Sequence, residues 1–200
     1  MDPIVKQAMA KWPNVPHCYG WLALDARGTW TMRNQQAQDL QTRGDVIRNP
    51  ALLGFINRNY LHDELGNWYF QNGPQRVYVN LELTPYIVRS DPQQGYLLHT
   101  GAVLGEIDAV WLTEHGQAIL CAGELVAALD DRDTTAFIDS LEIDGHSASD
   151  TQLLTWLQDP ESAQLQLRHE GKFLSVRYVQ SAALPTQFGF IRVPVAAVKD

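Results

Sequence analysis

A chain of 200 residues with 45% apolar and 19% charged side chains is long enough to bury a core unaided and too apolar to be disordered. Its net charge of −8 opposes binding to a phosphate backbone, where affinity comes from Lys and Arg displacing counterions, so no nucleic acid is expected as partner. No apolar run approaches the ~20 residues that span a bilayer, and residues 1–10 lack the apolar stretch of a secretory signal, so the chain reads as cytoplasmic with no membrane partner.

In chain order, Ile4, Val5, Ala8 and Met9 recur at helical spacing behind Pro3 and predict a short N-terminal helix. Pro13 and Pro16 force an extended connection. Residues 19–32 alternate around Asp25, Ala26, Arg27 and Gly28, the pattern of a β-hairpin, with Leu22 and Leu24 on one face and Trp21 and Ala23 on the other. The polar stretch 33–48 has the composition of a surface loop. Asn49 as N-cap and Pro50 at the first helical position open a helix to Tyr60 carrying Leu52, Leu53, Phe55 and Ile56. Three strands are expected over 67–89, turning at Asn72, Gly73 and Pro74 and bending at Pro85. A linker over 90–95 leads to a second hairpin, 107–120, turning at Thr113, Glu114, His115 and Gly116. Asp133 is expected to cap a helix through Leu141 and Asp150 to cap another, followed by strands at 165–167, 174–178 and 188–193.

The chain thus states one pattern twice: hairpin, irregular stretch, helix with a Phe-Ile-polar centre, further strands. Gly28 and Gly116 lie 88 positions apart and Phe55 and Phe137 lie 82 apart, which places six extra residues in the polar stretch of the first half. The expected fold is α+β and β-rich, with an N-terminal helix and linker at 1–17 and two tandem pseudo-equivalent repeats at 18–98 and 99–200.

Motifs that carry chemistry are sparse. There is no phosphate loop, nucleophile elbow or double Cys-x-x-Cys, and the six histidines lack metal-ligand spacing, so no catalytic set, metal or cofactor is assigned. Asp130, Asp131 and Asp133 lack the spacing of a calcium loop and read as a solvated helix start. Cys18 and Cys121 read as small buried residues rather than a disulfide or a nucleophile. Trp21, Trp30, Trp68, Tyr78 and Tyr86 concentrate aromatics in the strands of the first half, where they fill a core or line an apolar pocket. Arg76 is placed to grip an anionic group, and Glu82 beside Pro85 is the carboxylate to watch. Trp21, Trp30, Trp68, Arg76, Glu82, Tyr86 and His99 form the candidate ligand-binding set.

Cys18 and Gly20, the run from Asp25 to Trp30, Pro50-Ala51-Leu52 with Phe55, Pro74-Gln75-Arg76-Val77, and Leu81-Glu82 with Pro85-Tyr86-Ile87 together resemble the proteobacterial domain-of-unknown-function family numbered 1285, or a sister family of it. The resemblance covers residues 18–88; the longer loop 33–48 and most of the second half depart from it. It implies a fold of repeated motifs, no established enzymatic activity and a role in signalling through a bound ligand or partner, and it supplies no catalytic residues.

The leading expectation is a non-catalytic cytoplasmic binding or regulatory module for an unidentified small molecule or protein partner. One alternative is a hydrolase using Glu82 with His99; another is a homo-oligomer joined through apolar strands of the second half.

Overall fold

The computed structural model describes residues 1–196, which divide into two compact units: Met1–Pro85 completed by the chain from Gly189 onward, and Tyr86–Phe188. The expected division fell at 98/99; the observed one is at Pro85, and the first unit is discontinuous. Among the described residues there are six α-helices and fifteen strands in two sheets, an α+β, β-rich protein.

The first unit opens with α1 (Pro3–Lys11), which has Pro3 at its start and Val5 buried. A hairpin follows, β1 (Cys18–Leu24) and β2 (Trp30–Met32), then α2 (Gln35–Asp39) and β3 (Asp45–Val46). The stretch 33–48 is therefore structured rather than a plain loop: the Asn34 side chain accepts from Ala37 N–H to start α2, and Thr31 and Met32 pair with Val46 and Asp45. In α3 (Pro50–Arg58) Asn49 caps as expected, its side chain accepting from Leu52 N–H at 3.0 Å. β4 (Tyr60–His62), β5 (Trp68–Asn72) and β6 (Gln75–Leu81) complete the sheet. Its order is β3-β2-β1-β6-β5-β4, antiparallel except for the central parallel pair β1 and β6.

The second unit begins with the hairpin β7 (Tyr86–Asp91) and β8 (Gly95–Leu98), so residues 90–95 are a hairpin turn and not a linker. β9 (Ala109–Thr113), β10 (Ala118–Ala122) and β11 (Leu125–Leu129) form a meander. Then come α4 (Thr134–Ile138), β12 (Leu141–Ile143), β13 (His146–Ser147), α5 (Asp150–Gln158), β14 (Leu165–His169), β15 (Lys172–Val179) and α6 (Leu184–Phe188). The sheet order is β13-β12-β14-β15-β9-β10-β11-β7-β8, with β15 parallel to β9 and β7 parallel to β11. Three expectations change here. Asp133 makes no cap hydrogen bond, because its carboxylate takes Ser90 N–H at 2.6 Å instead. Ser149, not Asp150, is the N-cap of α5, in a capping box with Gln152. Residues 188–193 form no strand: Phe188 ends α6, and Ile191 makes only an isolated bridge with Asn67.

The two sheets share one connectivity. Set beside β3-β2-β1-β6-β5-β4, the run β11-β10-β9-β15-β14-β12 has the same order, the same central parallel pair, and a helix crossing between the two meanders. The hairpin turns also agree in detail. Asp25 Oδ1 accepts from Arg27 and Thr29 N–H, and Thr113 Oγ1 accepts from His115 and Gln117 N–H. In both, the backbone N–H of the glycine donates to the carbonyl of the first turn residue. The helices align one residue away from the expected pairing. Ile56 precedes the first residue of β4 by the same interval as Phe137 precedes that of β12, and these two are the deeply buried side chains, at 1% and 3% exposure. Phe55 is only half-buried, edge-on to Phe70.

Candidate functional site

The first unit holds a cavity of about 290 Å³ between α3 and the sheet. Its floor is the central parallel pair: Cys18 lies beside Val77 and Leu22 beside Val79, so Cys18, Leu22 and Val77 share one face. Four residues of β1 span what two residues of β6 span, a bulge that brings Trp21 onto the same cavity. Gly20 lies in that bulge with φ +77°, where a Cβ would stand 2.5 Å from Gln38 Oε1 of α2. From α3, Leu52 and Ile56 form the opposite wall, because residues four apart share a helix face. Phe70 and Asn72 of β5 and Gln75 of β6 close one end, where the hairpin pairs Asn72 with Gln75. Met32 and Ile47 complete the lining, and Trp21 and Met32 are 44% and 48% exposed at its rim. The lining carries no Asp, Glu, Lys, Arg or His.

Of the seven residues expected from sequence, Trp21 lines this cavity. Trp30 is buried, its indole N–H donating to Asn57 Oδ1 at 2.8 Å and its ring edge-on to Tyr60. Trp68 packs on Tyr60 and His62. Arg76 alternates with the cavity-lining Gln75 and Val77 and so belongs to the other face of the sheet, its guanidinium 4.6 Å from the Tyr69 ring centre. That face carries an aromatic cluster: Tyr19 stacks on Tyr78 at 4.6 Å, and the Tyr78 hydroxyl donates to Asp63 Oδ2 at 3.2 Å. Burial opposes ionisation of Asp63, but hydrogen bonds from Asn67, Leu65 and Tyr78 outweigh it and hold the carboxyl below its ordinary range. Glu82 is exposed and accepts from Ala26 N–H at 3.0 Å, tying the end of β6 to the hairpin turn. Glu114 makes the corresponding tie in the second unit by accepting the N–H and hydroxyl of Ser181.

Tyr86 and His99 belong to the second unit, with ring centres 5.8 Å apart, and are no part of the first unit's aromatic set. His99 Nδ1 accepts from Ile87 N–H at 3.2 Å, which fixes the proton on Nε2 in the neutral ring. The residue as a whole is only partly covered, but its ring edge is buried, and burial of the imidazole pushes its pKa down to about 3. The folded state then refuses a proton that the unfolded chain takes up near pH 6.5. The stability due to neutral His99 is fully present above that pH and falls as pH drops towards 3. Replacing His99 by Gln should therefore flatten the pH profile of the unfolding free energy, read by urea titration, by about 2 kcal/mol between pH 7 and pH 5. An unchanged slope would show that the imidazole is protonated in place.

A second cavity, about 250 Å³ in the second unit, is lined by Arg89, Ser90, Asp130, Arg132 and Asp133. Its polar groups are mostly occupied by one another: Arg132 is paired with the buried Asp130, whose carboxyl it holds below its ordinary range, and Asp133 takes Ser90 N–H. No apolar residue is among its lining, and a concave apolar pocket with a few polar groups is the usual form of a small-molecule site, so the first cavity is the stronger candidate. Neither cysteine is in a disulfide: Cys18 is a half-buried cavity residue, and burial pushes the Cys121 thiol up to about 11. Among the described residues no group of three or more His, Cys, Asp or Glu could hold a metal ion, and no helix is long and apolar enough to cross a membrane.

A family model described as "Protein of unknown function (DUF2946)" matches residues 1–195. The chain belongs to this family. No curated protein matches the chain. This DUF2946 chain is also similar to the crystal structure of a DUF1285 family protein from Silicibacter pomeroyi DSS-3, at 17% identity over 87% of this chain and 86% of that one, with a TM-score of 0.48. The resemblance to an uncharacterised family, read from residues 18–88, agrees with the chain's membership of a family of unknown function.

The cavity residues beyond Trp21 were missed because they look like ordinary core. The usable signals were Gly20, placed two residues after the strand start, and the Asn72 and Gln75 amides flanking a Gly-Pro turn.

Proposed function

We propose that this chain is a non-catalytic binding module whose first unit takes a small molecule between α3 and the sheet, and that it serves a cytoplasmic regulatory role through that ligand. The observation that carries the reading is the 290 Å³ cavity, apolar on its walls, with two side-chain amides at one end and an exposed Trp and Met at its rim. A hydrolase built on Glu82 and His99 is disfavoured. Glu82 is engaged with a turn N–H, and an imidazole with a pKa near 3 is too weak a base to draw a proton from water at neutral pH.

The exposure of Trp21 and Met32 supports a second reading, in which the cavity receives an apolar anchor from a protein partner, a second copy of the chain included. A fragment screen followed by Trp fluorescence and thermal shift separates the two. Hits should stabilise the wild type and lose most of that effect in Leu52→Phe, which adds volume to the cavity wall. Hits that stabilise both proteins equally, or an extensive screen without hits, would overturn the small-molecule reading and leave the partner reading.

A further inference from the structure

We infer that the ligand is an uncharged molecule with an apolar body and a hydrogen-bond donor, a hydroxyl or amide N–H, at its head. The inference rests on the cavity reading above and adds the chemical class. Burying a charged group without a counter-charge or full hydrogen bonding is strongly unfavourable, and no ionised side chain lines this cavity to offset it. The cation that sequence pattern placed nearest, Arg76, is turned to the opposite face of the sheet and held over Tyr69. The net charge of −8 adds long-range repulsion for an anion. A cationic head fares no better, since no carboxylate reaches the lining.

The donor preference comes from Gln75. Its Nε2 donates to Pro16 O at 2.9 Å, so the amide is oriented by that bond and its Oε1 is left as the acceptor. Asn72, directly across the hairpin, adds a second amide at the same end. The remaining walls suit a hydrocarbon body: the rings of Trp21 and Phe70 and the polarizable sulfurs of Cys18 and Met32 pack against flat or branched apolar groups.

The test uses matched probes at pH 7: 1-octanol, 1-methoxyoctane and octanoate, and 2-phenylethanol with phenylacetate, titrated against the full chain by Trp fluorescence. Each alcohol should bind at least tenfold more tightly than its carboxylate, and 1-octanol more tightly than its methyl ether. Gln75→Met should abolish the preference for alcohol over ether while the protein stays folded, a change that loss of packing alone would not produce. Carboxylates that bind as tightly as the alcohols, with binding lost in Leu52→Phe, would overturn the ligand class and leave the site standing. Binding that Leu52→Phe does not alter would overturn the site itself. Silence from all five probes up to their solubility would overturn the class.

Discussion

Alanine at Gly66 should cost the protein about 3–5 kcal/mol, the sum of left-handed backbone strain and a steric conflict that has nowhere to go. Gly66 has φ +81°, and a Cβ there would lie 2.2 Å from the carbonyl oxygen of Gly189. That neighbour is backbone, held in place because Ile191 N–H donates to Gly66 O and Leu81 N–H donates to Arg192 O. Phe190, between Gly189 and Ile191, is 4% exposed. The variant therefore forces the returning segment off the first unit. Gly105 supplies the control: its φ is +90° and a Cβ there meets nothing, so Gly105→Ala should show the backbone term alone, about 1–2 kcal/mol. Urea titration of both variants checks the difference. Equal losses would show that the segment at Gly189 yields without resistance.

Truncating Phe137 to Ala should cost about 3–5 kcal/mol, because the ring is buried in the second unit's core against side chains that cannot collapse fully into the space. Phe55→Ala should cost clearly less, about 1–2 kcal/mol, since the half-buried ring leaves less volume behind. Ile56→Ala, the counterpart of Phe137 by spacing to the following strand, should fall at about 2–5 kcal/mol. If Phe55→Ala proves the more damaging of the two first-unit variants, the pairing of Ile56 with Phe137 is mistaken.

Elements marked by local chemistry were legible in the sequence. Asn49 and Pro50 announce α3, and Asp25 to Gly28 and Thr113 to Gly116 announce two hairpins whose turns carry the same hydrogen bonds. Elements defined by their neighbours were not. Residues 125–129 are apolar throughout, a pattern that does not separate a buried strand from a helix, and β3 has only two residues. Residues 188–193 fit a strand, yet Gly189 and the bridge at Ile191 make them a tether with a single pairing. The candidate site shows the same limit. Alternation along β6 says that Arg76 faces away from Gln75 and Val77, but which face meets a helix is decided by residues 50–58, far off in sequence. Trp21 reaches the cavity from inside a bulge, where strict alternation does not hold although Cys18 and Leu22 on either side of it keep one face.

The discontinuity of the first unit bears on how the chain comes off the ribosome. The N–H of Leu81 is satisfied by the carbonyl of Arg192, so that bond has to wait while the whole of the second unit is translated. At roughly 5–20 residues per second the delay is on the order of 5–20 s, long compared with the folding of most small domains. During it the first unit stays open at the end that Phe190 will later cover, and the second unit, an uninterrupted stretch ending at Phe188, is fully synthesised before that cover arrives. The half that is made first is thus the half finished last, and a released chain truncated after Phe188 should be cut by protease within residues 1–85 while 86–188 resists.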